Sequence, residues 1–170
     1  ILIKNQRSCM VYFEKYQGLG NDFVVIDSRK QKLPKALLNG QKELVKSICN
    51  RNFGIGSDGI ILCLTSTDNS YARMVILNSD GSQPEMCGNG IRCLIAFLNE
   101  NSEINVNSEI RIETKAGLIL TSIDGNENIK VNMGDPILTP SDIPTKLLIN
   151  NSAVPNGKIA ISDQILNVYA

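Results

Sequence analysis

The chain has 170 residues, of which 42% are hydrophobic and 20% charged, a composition typical of a globular protein. Its 17 Lys and Arg residues balance 17 Asp and Glu residues, so it lacks the basic excess of a nucleic-acid-binding protein. No apolar run approaches the roughly 20 residues needed to span a bilayer. We therefore expect neither a nucleic acid nor a membrane among its partners.

The chain has five cysteines and no histidine. An odd number of cysteines at irregular spacing is unlike the even, dense set of a secreted disulfide framework, so we expect reduced thiols and a cytoplasmic location. The lack of histidine excludes Ser–His and Cys–His nucleophile pairs within these residues. Acid–base chemistry here must use Cys, carboxylate, Lys or Tyr side chains.

The first part of the chain predicts a β-rich domain. Residues 1–9 precede Met10 and the first strand-like run, and we interpret them as an extension without a role in the fold. The apolar and β-branched runs that follow are bounded by turn-forming residues and predict strands. In chain order these cover residues 11–15, 23–27, 60–64, 73–77, 110–114, 118–123 and 129–133, with a hairpin turn at Asp124-Gly125-Asn126.

Two segments predict helices. Residues 41–50 place Leu44, Val45 and Ile48 on one face, which is typical of a surface helix with one buried stripe. Residues 89–99 are apolar nearly all round, with Arg92 as the only charge, so this helix is predicted to be buried on most sides. Together with the seven strands, it predicts an α+β fold in which a curled, mostly antiparallel sheet wraps around a central buried helix.

The character of the chain changes near residue 129. Four prolines interrupt a polar, Ser- and Asn-rich stretch before a last strand-like run at residues 165–169. We predict a first domain at residues 10–128 and, at residues 129–170, the beginning of a second, similar domain that is cut short.

Cys87 is the residue with the clearest chemical setting. It directly precedes the apolar helix, where unpaired N–H groups and the positive end of the helix dipole favour a thiolate. Gly88 and Gly90 have no Cβ, so a ligand can approach the backbone closely. The N–H groups of Gly88 and Asn89 are then able to bind a carboxylate, as helix N-termini bind anions generally.

This arrangement suits removal of the α-proton of an amino acid, which needs a base near the α-carbon and donors on the carboxylate. The alternative is that Cys87 is a small core residue at a tight turn, as free cysteines commonly are. The surrounding Cys-Gly-Asn-Gly sequence is poor in packing atoms and favours the functional interpretation. Cys93, roughly 240° further round the helix, is interpreted as core, and so are Cys49 and Cys63.

Two glycine-rich loops offer further candidates. Gly18-Leu19-Gly20 has no third glycine and no following helix, so it indicates a nucleotide site only weakly. The next residue, Asn21, is either a turn residue that satisfies its own backbone or a polar side chain presented to a substrate, and the residues leave both open. In the second loop we interpret Asp58 as a cap or turn residue without a catalytic role.

Three blocks of the sequence together resemble the diaminopimelate epimerase family. They are Gly-Leu-Gly-Asn-Asp-Phe at 18–23, Phe-Gly-Ile-Gly-Ser-Asp-Gly at 53–59, and Asn-Ser-Asp-Gly-Ser at 78–82 leading into Met-Cys-Gly-Asn-Gly-Ile-Arg-Cys at 86–93. The resemblance continues through residues 113–117 and 131–136. It implies two pseudo-symmetric domains, each a sheet around a helix, with the active site in the cleft between them.

The resemblance also implies a reaction, the interconversion of LL- and meso-diaminopimelate by two cysteines that face each other across the α-carbon, without pyridoxal phosphate or a metal. Carried over by motif, Cys87 is one of the two thiols. Asn21 and Asn78 resemble the family's substrate-binding asparagines, and Gly88 with Asn89 resembles its backbone clamp.

The second catalytic cysteine of the family, and its later Asn, Glu and Arg ligands, have no counterpart in these 170 residues. We therefore expect the amino-terminal part of such an enzyme, inactive by itself. The expected partner is a small-molecule substrate, and a homodimer is left open.

Two other interpretations remain open. The first is another member of the same superfamily, such as a proline or hydroxyproline epimerase or a phenazine-type isomerase, although residues 18–23 and 78–90 favour the diaminopimelate branch. The second is a non-catalytic half-protein that keeps the fold and has lost the other half of the site, which the missing second cysteine would support.

Overall fold

The computed structural model describes residues 10–137, 139–143, 156–162 and 164–169. The chain divides between Met133 and Gly134 into two compact units. The extension predicted at residues 1–9 lies outside the described residues.

The first unit is built on one seven-stranded sheet, in which the strands lie side by side in chain order. The pairs β2–β3 and β4–β5 are parallel, and the other neighbouring pairs are antiparallel. The strands are β1 (Glu14–Gly18), β2 (Asn21–Asp27), β3 (Gly59–Leu64), β4 (Ala72–Asn78), β5 (Ile110–Thr114), β6 (Gly117–Ile123) and β7 (Ile129–Val131).

Helices cover both faces of this sheet. A short helix α1 (Lys35–Leu38) and the helix α2 (Lys42–Cys49) connect β2 to β3, and α3 (Gly88–Glu100) connects β4 to β5. Side chains alternate along the strands, so in β2 Phe23 and Val25 pack in the core with α3 while Val24 and Ile26 pack in the core with α1 and α2. None of the helices in the described part of the chain has the length and apolarity that a membrane crossing needs.

The helix α3 is enclosed by the sheet. It contacts β1, β2, β3, β4, β6 and β7, and Leu94, Ile95 and Leu98 on it are fully buried. Close approach at its first turn depends on Gly90, where a Cβ would lie only 3.1 Å from the Ile76 side chain. The predicted α+β fold, a curled and mostly antiparallel sheet around a central buried helix, is confirmed for this unit.

The helix α3 runs antiparallel to β1. A Cβ on Gly18, the last residue of β1, would lie 3.7 Å from the backbone oxygen of Asn89 at the start of α3. Further along α3, the rings of Tyr16 and Phe97 pack edge to face with centroids 6.0 Å apart, and the Tyr16 hydroxyl donates to Glu100 at 2.7 Å. The helix therefore begins at the end of the sheet where β1 and β4 end and β2 and β3 begin.

The first hairpin differs from the sequence prediction. The strand expected at residues 11–15 is β1 at Glu14–Gly18, because Gly18 pairs with Asn21 across a two-residue turn. Both turn residues have positive φ, 56° at Leu19 and 84° at Gly20, as this kind of tight hairpin requires. The turn thus fixes the register, and the predicted strand lay about three residues too early. The helix α1 has only four residues, which are too few to show the apolar spacing that predicts a helix.

The domain boundary also differs from the predicted one. Residues 129–131 form β7, which pairs with β6, and Ile129 and Val131 pack against the core around α3. The division therefore falls after Met133 rather than before residue 129.

The second unit contains an antiparallel hairpin, β8 (Asn156–Ile161) and β9 (Gln164–Tyr169). The strand predicted at residues 165–169 corresponds to β9. That this unit opens a second domain similar to the first stays a prediction.

Truncating a central residue of α3 tests its enclosure. Leu94→Ala should lower the free energy of unfolding by about 2–5 kcal/mol, because the lost side chain leaves a cavity in a packed core. Leu118→Ala is the matched control, since Leu118 is 46% exposed and should cost less than about 1 kcal/mol. Urea denaturation followed by circular dichroism measures both, and equal losses would contradict the enclosed position of α3.

Candidate active site

Asn21 and Asn78 lie on the same face of the sheet, toward α3. Asn21 is two residues before Phe23 in β2, and Asn78 is two residues after Ile76 in β4. Because side chains at alternate positions share a face, each asparagine continues the row of its core residue. Phe23 and Ile76 both belong to the core around α3. The asparagines therefore extend this core to the end of the sheet where α3 begins.

A glycine lies between the strands that carry the two asparagines. Gly59 in β3 pairs with Phe23 on one side and with Asn78 on the other. A Cβ at this position would lie 2.7 Å from the backbone oxygen of Leu77, which is too close for any side chain. The backbones of β2 and β4 are two strand spacings apart, about 10 Å. The same Cβ would lie 3.3 Å from the Phe23 ring, so the absence of a side chain at Gly59 lets Phe23 pack against β3 at this end of the sheet.

Cys87 is the N-cap residue of α3. Its backbone is extended, with φ −146° and ψ 118°, and its Sγ accepts a hydrogen bond from the Gly90 N–H at 3.3 Å. The Cys87 carbonyl accepts the first intrahelical bond, from Ile91 N–H, at 2.9 Å. The helix it caps thus fixes the direction of the thiol, which is partly exposed.

Gly88 and Asn89 are the first two residues of α3. Helix geometry leaves their N–H groups without intrahelical acceptors, and such groups bind anions. The Asn89 side-chain oxygen accepts a hydrogen bond from the Arg92 guanidinium one turn later. Because Gly18 packs next to Asn89 and pairs with Asn21, the β1–β2 turn and the first turn of α3 lie side by side. Gly88 and Asn89 are therefore placed close to Asn21.

Four charged residues at this end of the sheet form what we call the Asp22 cluster: Lys15, Asp22, Arg51 and Asp58. Arg51 binds Asp22 at 2.6 Å and Asp58 at 2.8 Å, and Lys15 binds Asp22 at 3.0 Å. The Arg51 guanidinium, together with the Lys15 ammonium, holds the pKa of the Asp22 carboxyl well below its usual range, against a smaller opposing effect of burial. The cluster links β1 and β2 to the loop between α2 and β3.

The Asp22 cluster could not be predicted from the sequence, for a simple reason. Its ion pairs join residues far apart in the chain, such as Asp22 and Arg51, and neither residue has a local pattern that points to the other. Only Asp58, in a glycine-rich loop that matched the family, gave a signal. The interpretation of Asp58 as a cap or turn residue did not include its bonds to Asp22 and Arg51.

The three other cysteines that the structure describes, Cys49, Cys63 and Cys93, are buried in the two cores, as predicted. Burial raises the pKa of the Cys63 thiol to about 12 and that of Cys93 to about 11, and it raises the pKa of Cys49 as well. Thiols with such raised values react slowly at neutral pH. Of the described cysteines, Cys87 is the one that is not buried.

A cavity of about 380 Å³ lies at the opposite end of the sheet, where its lining includes Val25, Asp27, Phe97 and Asn101. Cys87 and the two asparagines do not line this cavity. Despite its size, it therefore takes no part in the chemistry of the thiol. No group of three or more Cys, Asp or Glu side chains within the described residues is arranged to hold a metal ion.

The fold is shared with solved racemases and epimerases. A probable proline racemase from Agrobacterium radiobacter K84 matches with a TM-score of 0.54 at 16% identity, over 68% of this chain and 38% of that one. A hydroxyproline epimerase from Agrobacterium vitis matches with a TM-score of 0.51 at 19% identity, over 64% and 36%. At these identities the likeness defines the class of fold.

The sequence comparisons define the family within that class. The diaminopimelate epimerase family model matches residues 13–139. A diaminopimelate epimerase of Prochlorococcus marinus strain NATL2A is 67% identical over 93% of this chain and 56% of its own length. The chloroplastic diaminopimelate epimerase of Oryza sativa subsp. japonica is 43% identical over 89% and 42%. The chain belongs to the diaminopimelate epimerase family, and it spans about half the length of these relatives.

The exposure of the thiols leads to a test by alkylation. In a Cys9→Ser background, iodoacetamide at neutral pH should modify Cys87 at least tenfold faster than Cys49, Cys63 or Cys93, because those three are buried with raised pKa values. Peptide mass spectrometry of the folded protein gives the rates, and the urea-unfolded protein is the control in which all four should react. Comparable labelling of Cys93 in the folded protein would contradict the described packing of α3.

The lowered pKa of Asp22 predicts a pH dependence. A carboxyl whose pKa is lowered on folding stabilises the protein above the ordinary Asp value of about 3.9, and that stability is lost as the pH falls below it. Asp22→Asn should therefore cost up to about 1 kcal/mol at pH 7, since its partners are largely exposed, and progressively less toward pH 3. Urea denaturation across this range measures the difference, and a constant difference from pH 7 to pH 3 would contradict the ion pairs as its source.

Proposed function

We propose that the full-length protein interconverts LL- and meso-diaminopimelate by a cofactor-independent mechanism that uses two thiols, one of which is Cys87. The observation that carries this proposal is the position of Cys87 as the N-cap of α3, at the same end of the sheet as Asn21 and Asn78. Family membership supplies the reaction, and the geometry supplies a reason for each residue.

The roles follow from what each group can do chemically. Cys87 exchanges a proton with the α-carbon, as thiolate when it removes the proton and as thiol when it returns it. The N–H groups of Gly88 and Asn89 bind the α-carboxylate, where negative charge increases as the proton leaves. The amides of Asn21 and Asn78 offer both donors and acceptors to the polar groups of the substrate. These donors are in position before the reaction begins, as the stabilisation of a developing charge requires.

The mechanism needs a second thiol on the opposite face of the α-carbon. Cys49, Cys63 and Cys93 are buried in the cores, so none of them is placed to serve as that thiol. The described residues thus supply one thiol of the pair, and the chain spans about half the length of its relatives. We therefore propose that these 170 residues do not epimerise diaminopimelate efficiently by themselves.

Exchange of the α-proton with solvent tests the role of Cys87. In deuterated water, Cys87→Ala in the full-length protein should reduce both epimerisation and deuterium incorporation into LL-diaminopimelate by at least a thousandfold. Cys93→Ala, in the same helix but facing the core, should keep activity within a few-fold of the wild type. Proton NMR of the substrate measures both reactions, and unchanged exchange in Cys87→Ala would overturn the assignment.

The other interpretations give different outcomes in the same assay. A proline or hydroxyproline epimerase would exchange the α-proton of those amino acids and leave diaminopimelate unchanged, whereas a non-catalytic half-protein would exchange none of them. A homodimer and a cytoplasmic location stay predictions. Light scattering of the full-length protein tests the first.

A further inference from the structure

Asp58 connects the two strand ends that carry the candidate asparagines. The N–H of Asp22, next to Asn21, donates to the Asp58 carboxylate at 3.0 Å, and the Asp58 N–H donates to the backbone oxygen of Asp22 at 2.9 Å. On the other side, the N–H of Ser79, next to Asn78, donates to the backbone oxygen of Asp58 at 2.9 Å. A single residue therefore bonds to the immediate neighbours of both asparagines.

These bonds extend the sheet by one residue beyond its strands. The regular pairing of β3 with β2 and β4 stops at Gly59, and the glycine contributes no side chain to hold either neighbour. Beyond Gly59, Asp58 is the residue that bonds on both sides, so it joins the positions next to Asn21 and Asn78. Arg51 binds the second oxygen of the Asp58 carboxylate at 2.8 Å and prevents its rotation away from Asp22.

We propose that Asp58 is a positioning residue, which sets the distance and orientation between Asn21 and Asn78 and so determines the affinity for the substrate. The proposal rests on the function proposed above. It assigns to Asp58 no contact with the substrate and no proton transfer, because its carboxylate is already occupied by Asp22 N–H and Arg51.

A merely structural role is the alternative, and the opposite end of the sheet supplies the control for it. There Arg29 binds Asp27 at 2.8 Å and Glu103 at 2.6 Å, in an ion-pair cluster that is more buried than the Asp22 cluster. Asp27 lies six residues beyond Asn21 in β2, roughly 20 Å away. Glu103→Gln therefore breaks a similar interaction without reaching the asparagines.

The kinetic experiment compares Asp58→Asn with Glu103→Gln in the full-length protein. If the asparagines bind the substrate equally in the ground state and the transition state, their displacement raises KM and leaves kcat nearly unchanged. We expect Asp58→Asn to raise KM for LL-diaminopimelate about tenfold with kcat within threefold of the wild type, and Glu103→Gln to change neither by more than twofold. Equal effects of the two variants, after urea denaturation shows that both are folded, would overturn the proposal.

A mutant cycle identifies the route of the effect. If Asp58 acts through Asn21 and Asn78, Asp58→Asn should raise KM by less than twofold in a background that already carries Asn21→Ala and Asn78→Ala, since coupled residues give non-additive effects. A full tenfold increase in that background would show that Asp58 acts by another route.

Amide hydrogen exchange gives a readout that does not depend on the reaction. Asp58→Asn should accelerate exchange of the Asp22 and Ser79 amides at least tenfold, and Glu103→Gln should leave both unchanged. Acceleration at Asp22 alone would overturn the link to Asn78. If the wild-type protein exchanges no α-proton of diaminopimelate, the proposed function is overturned. The amide data would still decide whether Asp58 holds the chain at Asp22 and at Ser79.

Discussion

The burial of α3 is the constraint on which the first unit depends. Apart from a narrow, half-buried face at Asn89, Arg92 and Asn99, this helix is apolar. It is stable only where apolar side chains cover the rest of it, and full burial of residues such as Leu94, Ile95 and Leu98 contributes about 1.5–3 kcal/mol each. The sheet must curl to place apolar side chains around the helix, and the curl brings both β1 and β7 into contact with it. The N-terminus of α3 lies at the end of the sheet where β1 and β4 end. Core packing thereby fixes the one helix end at which Cys87 and the anion-binding N–H groups lie.

The candidate site combines this rigid helix end with two strand ends that are held less firmly. Cys87, Gly88 and Asn89 are held by the helix, and they move only if the core moves. Asn21 and Asn78 lie at strand ends, and the residues next to them, Asp22 and Ser79, both bond to Asp58. Exposed ion pairs of this kind add little to the free energy of unfolding. Their contribution is geometric, because they link the loop between α2 and β3 to the ends of β1 and β2.

Much of the fold could be predicted because its signals are local. The apolar period of residues 89–99 gave α3 and its burial, and the alternating runs gave the seven strands. The register of β1 could not be predicted, since it depends on a turn in which Leu19 adopts a positive φ, which is uncommon for a branched residue. The contacts of Lys15 and Arg51 depend on the tertiary structure alone. For the site, helix-end chemistry pointed to Cys87, but Asn21 and Asn78 were distinguished from ordinary turn residues only by the family resemblance.

The order of strand pairings also determines which face of the sheet carries the thiol. Both parallel pairs, β2–β3 and β4–β5, require crossover connections, and such crossovers are right-handed in nearly all proteins. The antiparallel pair β3–β4 between them reverses the strand direction while the sheet continues to grow toward the same edge. Two crossovers of equal hand must then pass over opposite faces, as α1 with α2 and α3 do. The chirality of the polypeptide, expressed through one reversal of direction, thus separates a helical layer that only supports the sheet from the helix that carries Cys87.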